Sequence, residues 1–198
     1  MVKPLEFWFE FASTYSYLSA ARIEDACAEA GVPLVWRSFL LGPVFGAQGM
    51  TDSPFNMFPV KGAYMWTDIA RCCSDLGLPF AKPSSFPRGS LLAARIAAAH
   101  ADEPWVGAFV RAVYHANFAE DRAIADDAVI AAILDEIGQD AAEVIATATA
   151  PDGKAMLRHA TEEAVERGLF GAPSFVVDGA LFWGNDRLEQ ALAHARAA

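Results

Sequence analysis

The stretch Leu5-Glu6-Phe7-Trp8-Phe9-Glu10-Phe11-Ala12-Ser13-Thr14-Tyr15-Ser16-Tyr17 decides the fold. Leu5, Phe7, Phe9 and Phe11 alternate with Glu6, Trp8 and Glu10, the period of two that a pleated strand requires. The pattern breaks at Ala12-Ser13-Thr14 and resumes at helical spacing. Ser16, Ala20, Ile23, Cys27 and Ala30 share one face, with Arg22, Glu24, Asp25 and Glu29 off it. A strand feeding directly into a helix sets the Ser13 hydroxyl at a helix N-terminus, where unpaired N–H groups and the helix dipole favour an anion. Two readings of Ser13 follow: a cap that satisfies one of those N–H groups, or a group that meets a bound anion.

Working outward, Gly31 stops the first helix and Val32–Leu41 reads as a second strand. Strand, helix and strand in so short a span make a βαβ unit with a parallel pair. Residues 42–63 are expected to form a long loop packed over something, because Gly42, Pro43, Gly46, Gly49, Pro54, Pro59 and Gly62 interrupt them. From Tyr64 to Gly168 the periodicity is helical. The segments are Tyr64–Leu76, a helix capped by Ser90 and ending near His100, one opened by Pro104, one capped by Asp126 and closed by Gly138, Asp140–Ala150 and Asp152–Arg167. The tail returns to strands, Pro173–Val177 and Ala180–Trp183, around the hairpin turn Asp178-Gly179. Gly184-Asn185-Asp186 then opens a last helix over Arg187–Ala197. The expected fold is α/β and thioredoxin-like, over residues 1–60 and 169–198, with a large all-helical insertion over 61–168.

The totals narrow the function. The 198 residues suit one large domain, and a hydrophobic fraction of 54% excludes disorder. A net charge of −10 argues against nucleic acid and anionic membrane surfaces as partners. The first residues show no apolar run or cleavage site of a signal peptide, and no stretch has the length of a membrane span. The three cysteines, Cys27, Cys72 and Cys73, form no C-x-x-C and are a poor disulfide framework, so reduced, packed thiols and a cytoplasmic setting are expected. His100, His115, His159 and His194 lack metal-ligand spacing, and no metal is expected. No Gly-x-Ser-x-Gly elbow accompanies Ser13. Glu10 reads as a solvated or capped carboxylate. Phe55, Phe58, Tyr64 and Trp66 read either as core or as walls of an aromatic pocket.

Five motifs, in order, carry a resemblance over nearly the whole chain: Phe-Ala-Ser-Thr-Tyr-Ser-Tyr-Leu at 11–18, Ser-Pro-Phe-Asn at 53–56, Pro-Val-Lys-Gly-Ala-Tyr-Met at 59–65, Phe-Gly-Ala-Pro-Ser-Phe-Val-Val at 170–177 and Phe-Trp-Gly-Asn-Asp-Arg-Leu at 182–188. Together they resemble the 2-hydroxychromene-2-carboxylate isomerase family, which is close to the kappa-class glutathione transferases within the DsbA-like branch of the thioredoxin fold. Thr14 departs from the commoner Ser-Pro-Tyr-Ser form. The resemblance implies glutathione as cofactor, with Ser13 as the catalytic residue, standing where thiol-disulfide relatives carry their first cysteine. Ser13, Thr14, Tyr15, Ala172, a cis Pro173, Asn185 and Asp186 would hold the cofactor. Asn56, Lys61 and Tyr64 would meet a small aromatic carboxylate substrate, and Thr51 or Asp52 would stand where kappa-class relatives use a loop asparagine for glutathione. It also implies interconversion of 2-hydroxychromene-2-carboxylate and trans-o-hydroxybenzylidenepyruvate through reversible thiolate addition, in a chain that is a dimer by family habit. The alternative is a kappa-class-like glutathione transferase or peroxidase acting on other electrophiles.

Overall fold

β1 (Leu5–Phe9) lies inside a four-stranded sheet, between β2 (Leu34–Ser38), to which it runs parallel, and the antiparallel β3 (Ser174–Val177). β4 (Ala180–Trp183) completes the sheet as the hairpin partner of β3, giving the order β2-β1-β3-β4. The computed structural model describes residues 2–197. The helices are α1 (Thr14–Ala30), α2 (Leu41–Ala47), α3 (Pro54–Met57), α4 (Pro59–Asp75), α5 (Leu91–Ala99), α6 (Val106–Phe118), α7 (Asp127–Glu136), α8 (Ala141–Thr149), α9 (Pro151–Glu166) and α10 (Leu188–Ala197), with a 3-10 turn at Asn185–Arg187. This is the expected thioredoxin-like order with helices inserted between the two halves of the sheet.

Both faces of β1 are buried. Leu5, Phe7 and Phe9 point into the larger core, where Phe7 stacks on Phe175 at 5.7 Å and Phe9 meets Trp36 edge-on at 5.7 Å. α1 and α10 cover that side, and α6 packs along α1. Trp8 points to the opposite face, into a smaller cluster with Phe39, Val44, Ala164, Leu169 and Val176, under α2 and α9. The alternation in the sequence therefore separates two cores rather than a core from solvent. Glu6, on the Trp8 side, is only part-exposed and pairs with Arg167 at 2.9 Å, while its carboxylate accepts the Trp8 indole N–H at 3.1 Å.

Several boundaries differ from expectation. The second strand is Leu34–Ser38, shorter than Val32–Leu41. Residues 42–63 are not one loop: α2 and α3 occupy parts of it, and α4 begins at Pro59 instead of Tyr64. Pro43 falls in the first turn of α2, where its missing N–H has no helical partner to lose, and Val44 anchors that helix in the smaller core. Gly62 is a close-packing residue, not a breaker. A Cβ there would lie 2.2 Å from the Phe55 carbonyl oxygen, so its absence lets α3 sit on α4. Pro104 lies before α6, which starts at Val106. Ser90 stands at the N-cap of α5, but its side chain makes no capping bond there. Gly31 and Asp126 end and cap their helices as expected, and Asp178-Gly179 has positive φ at both residues (49° and 82°), as a two-residue hairpin turn demands.

The helical layer reaches back to the sheet through buried polar side chains. Asn117, 1% exposed on α6, donates its Nδ2 to the Phe11 carbonyl at 3.1 Å. Its Oδ1 accepts from Arg88 Nη1 at 3.1 Å, and Arg88 also donates to the Arg122 carbonyl at 2.9 Å and pairs with Asp121. Asn117→Ala would leave the Phe11 carbonyl without a donor and take one of three acceptors from Arg88 Nη1, and should lower stability by about 1–3 kcal/mol in urea unfolding. Asn117→Asp should retain more of it, because Oδ1 remains for Arg88.

Candidate active site

The turn from Glu10 to Ser13 links β1 to α1, and most of its polar groups have partners. Ser13 has extended dihedrals (φ −76°, ψ 114°) and caps α1: its Oγ accepts from the Ser16 N–H at 3.2 Å. The same hydroxyl donates to the Ala172 carbonyl at 2.9 Å. The Ala172–Pro173 peptide is cis, as is Phe86–Pro87. The Pro173 carbonyl accepts from the Gly184 N–H at 3.0 Å, and Ser174 Oγ donates to the Gly171 carbonyl at 2.8 Å, so the segment beside Ser13 is fixed on both sides. The Thr14 and Tyr15 N–H groups in the first turn of α1 find no acceptor among the described residues.

Ser13, Ala172 and Pro173 thus converge on the N-terminus of α1. Thr14 is buried, with Oγ1 3.3 Å from Met65 Sδ of α4. The Tyr15 hydroxyl donates to Asp68 at 2.7 Å, and burial followed by that carboxylate pushes its pKa up. Both residues hold α4 against α1. Asn185 meets α1 further along: its Oδ1 accepts from Ser19 Oγ at 3.0 Å and from Arg22 Nη2 at 3.2 Å. At the helical rise, Ser19 lies roughly 9 Å beyond Ser13 along the axis. The Asn185 Oδ1 is therefore occupied, while Asp186 presents a carboxylate whose side chain is 72% exposed.

The three expected substrate contacts lie on α3 and the first turns of α4. Asn56 donates to Asp52 at 3.1 Å and to the Phe86 carbonyl at 3.4 Å, so its amide braces α3. Lys61 and Tyr64 are exposed on the α4 turns next to Met65, the residue that touches Thr14. Phe58 and Val60 face solvent as well, so the segment expected to be packed instead presents apolar side chains outward. Trp66 is half-buried against Phe80 and Phe86. A separate cavity of about 400 Å³ between α1 and α6, lined by Tyr17, Leu78, Arg111, His115, Arg122 and Glu136 among others, holds none of these residues.

Glu10 is the residue that sequence reasoning misplaced. It is buried, not solvated, at 7% exposure. Its Oε2 accepts from the Ala12 N–H at 3.1 Å, its Oε1 lies 2.7 Å from Ser90 Oγ, and its carbonyl accepts from both the Ser13 N–H and the Tyr114 hydroxyl at 2.9 Å. Burial outweighs the two hydrogen bonds to the carboxyl and pushes its pKa up to about 7. A signal was present: an acid set between Phe9 and Phe11 continues an apolar strand. Ser90 spends its hydroxyl on Glu10, which explains its failure to cap α5. Among the described residues no group of three His, Cys, Asp or Glu side chains is placed to hold a metal, and no helix is long and apolar enough to cross a membrane.

Three comparisons bear on this arrangement. The family model for the DSBA-like thioredoxin domain matches residues 4–195. A 2-hydroxychromene-2-carboxylate isomerase of Sphingobium xenophagum is 29% identical over 96% of this chain and 96% of that protein. Glutathione S-transferase kappa 2 of Caenorhabditis elegans is 26% identical over 95% and 89% respectively. Among solved structures, a 2-hydroxychromene-2-carboxylate isomerase superposes with a TM-score of 0.86 at 24% identity, over 96% of this chain and 93% of that one. The named curated relatives are enzymes.

Two outcomes test this geometry without a substrate. Ser13→Ala removes a cap and should cost about 1 kcal/mol in thermal or urea unfolding, with the fold intact by circular dichroism. Cys27 and Cys73 are buried, and burial pushes both thiols up to about 11; Cys72 is part-exposed, its thiol raised by burial and then by Asp68 and Asp75. A thiol-specific chromogenic disulfide should therefore label Cys72 alone in the native protein, and the other two only after unfolding.

Proposed function

The chain belongs to the DSBA-like thioredoxin domain family, and from that premise we propose that it is a glutathione-dependent cis–trans isomerase acting on 2-hydroxychromene-2-carboxylate or a related aromatic carboxylate, in the cytoplasm. The observation that carries this reading is the Ser13 hydroxyl at the N-terminus of α1, bonded to the carbonyl of a cis Ala172–Pro173 pair, in a turn without cysteine. A thiol-disulfide enzyme needs its own sulfur at such a place. A hydroxyl with helix N–H groups beside it suits a sulfur brought by another molecule.

Two parts of glutathione would find partners here, the sulfur and the γ-glutamyl group. The distance of roughly 9 Å along α1 from Ser13 to Ser19, where Asn185 docks, is one that the cysteinyl side chain and the γ-linked glutamyl arm can span together. Ser13 would turn its proton from the Ala172 carbonyl towards the sulfur and hold it as thiolate, helped by the free Thr14 and Tyr15 N–H groups. The Ala172 backbone would pair with the cysteinyl backbone in strand fashion. Asp186 would meet the γ-glutamyl ammonium, and the start of the 3-10 turn at Asn185 its carboxylate. Bound glutathione supplies a thiolate that adds reversibly to a conjugated double bond, which allows that bond to change geometry. Lys61 would pair with the substrate carboxylate, with Asn56 offering an amide beside it, and Tyr64 would offer an aromatic wall. Ser13 donates a hydrogen bond and forms no covalent bond in this scheme.

The test is an absorbance assay of chromene-carboxylate isomerisation with and without glutathione. Turnover should require glutathione and leave its concentration unchanged, and Ser13→Ala should lower kcat/KM by roughly 10²–10³-fold. Wild-type turnover in that variant would return Ser13 to the role of a cap. The likeness to a kappa-class transferase favours one second reading, conjugation of glutathione to other electrophiles. Stoichiometric loss of glutathione during turnover decides for it and against the isomerase.

A further inference from the structure

Beneath the turn that carries Ser13, one acid has no cation paired with it among the described residues. The Glu10 carboxyl is buried and meets the Ala12 N–H and the Ser90 hydroxyl, while the Tyr114 hydroxyl of α6 bonds its backbone carbonyl. The charged group nearest in sequence to Ser90, Arg88, is turned away onto Asn117, the Arg122 carbonyl and Asp121. Asn117, on the same face of α6, spends its amide on the Phe11 carbonyl and on Arg88. α1 contributes Thr14 and Ser16, which are uncharged, and Tyr114 stays neutral because burial and then Glu10 itself raise its pKa. An ionised Glu10 would have two hydrogen-bond donors and no counter-charge.

We propose that Glu10 is a positioning residue whose carboxyl carries a proton in the working enzyme: the neutral acid fixes the Ser13 turn, and its ionisation sets a negative charge below the site and disfavours a thiolate there. Burial with no cation against the carboxyl supports the neutral form, and its two hydrogen bonds can be kept in that form. A protonated carboxyl donates through Oε1 to Ser90 Oγ, 2.7 Å away, and accepts through Oε2 from Ala12, leaving both oxygens with partners of the right sense. An amide reproduces that pattern, with its NH2 towards Ser90 and its oxygen towards Ala12. Glu10→Gln is thus a mimic of the protonated state, and Glu10→Ala is a test of packing alone. The part of this inference that concerns a thiolate rests on the glutathione reading; the part that concerns the proton does not.

The sign of the effect on stability follows from linkage. The folded-state value of about 7 lies above the ordinary glutamate value of 4.5. The group's contribution is therefore fully present below 4.5 and is lost as pH rises through 7. Two measurements test the proposal. In the first, thermal unfolding of the ligand-free protein is followed from pH 4.5 to 8.5. The difference in Tm between wild type and Glu10→Gln should move in favour of the variant as pH rises through about 7, and a difference independent of pH overturns the proton assignment. In the second, the ultraviolet absorbance of the thiolate of bound glutathione is titrated. Glu10→Gln should show a lower apparent thiol pKa than wild type in the alkaline range, and superimposable curves overturn the coupling to the site. If neither protein gives a thiolate signal or binds glutathione, the cofactor reading falls, and with it this second arm, while the first still decides the proton.

Discussion

A strand that ends in a tight turn leaves backbone groups which neither the sheet nor the following helix can satisfy, and the buried turn from Glu10 to Ser13 is organised by that constraint. Glu10, Phe11 and Ala12 are buried, so each unpaired carbonyl or N–H there would cost about 1–3 kcal/mol. The remedy comes from far along the chain. Ser90, Tyr114 and Asn117 supply the hydrogen bonds to Glu10 and Phe11 across sequence separations of 80, 104 and 106 residues. Arg88, itself buried, holds Asn117 in place through a charge-assisted bond and closes on Asp121. The inserted helices therefore do more than cover the sheet. They set the position of Ser13 relative to Ala172, and their polar residues carry as much of the site's geometry as its own turn does.

The same logic explains how an anion site and a buried acid coexist within a few residues. The helix N-terminus contributes positive potential through fixed dipoles, with free N–H groups at Thr14 and Tyr15. The acid beneath contributes negative charge only when it ionises, and enclosure by Ser90, Ala12 and Tyr114 opposes that. Polar groups around Ser13 are thus arranged so that the strongest local field comes from peptide dipoles, not from a side-chain charge. Lys61 and Asp186 are exposed, the latter 3.4 Å from Arg187, so water screens their charges.

Much of the fold could be read from local chemistry. The period of two in Leu5–Phe11, the helical face through Ser16, Ile23 and Cys27, the αL stop at Gly31 and the Asp178-Gly179 turn all act within a few residues of themselves. Ser13 and the Ala172–Pro173 pair were legible for the same reason, with the resemblance adding their meeting in space. What escaped was decided by contacts across the chain. Gly62 reads as a breaker until the Phe55 carbonyl is placed against it. Pro43 reads as a loop residue until Val44 is seen to anchor a short helix. Ser90 has the residue type of a cap, and Glu10 that of a solvated acid, and each is explained only by the other.

The pairing of β1 with β3 joins Glu6 to Val176 and Phe7 to Phe175, whereas β1 and β2 pair across a single helix. Closing the first pair from an unfolded chain requires a loop several times longer than closing the second, and the entropy of that closure grows with the logarithm of loop length. The order of assembly follows from this difference. The segment through β2 can collapse early around Phe7, Phe9 and Trp36, and the inserted helices can associate among themselves, but Ala172 meets Ser13 only when the last quarter of the chain arrives. The place where the chemistry is expected is thus completed last, and during synthesis it stays open until the hairpin has emerged, so a truncated or stalled chain carries a serine turn with nothing opposite it.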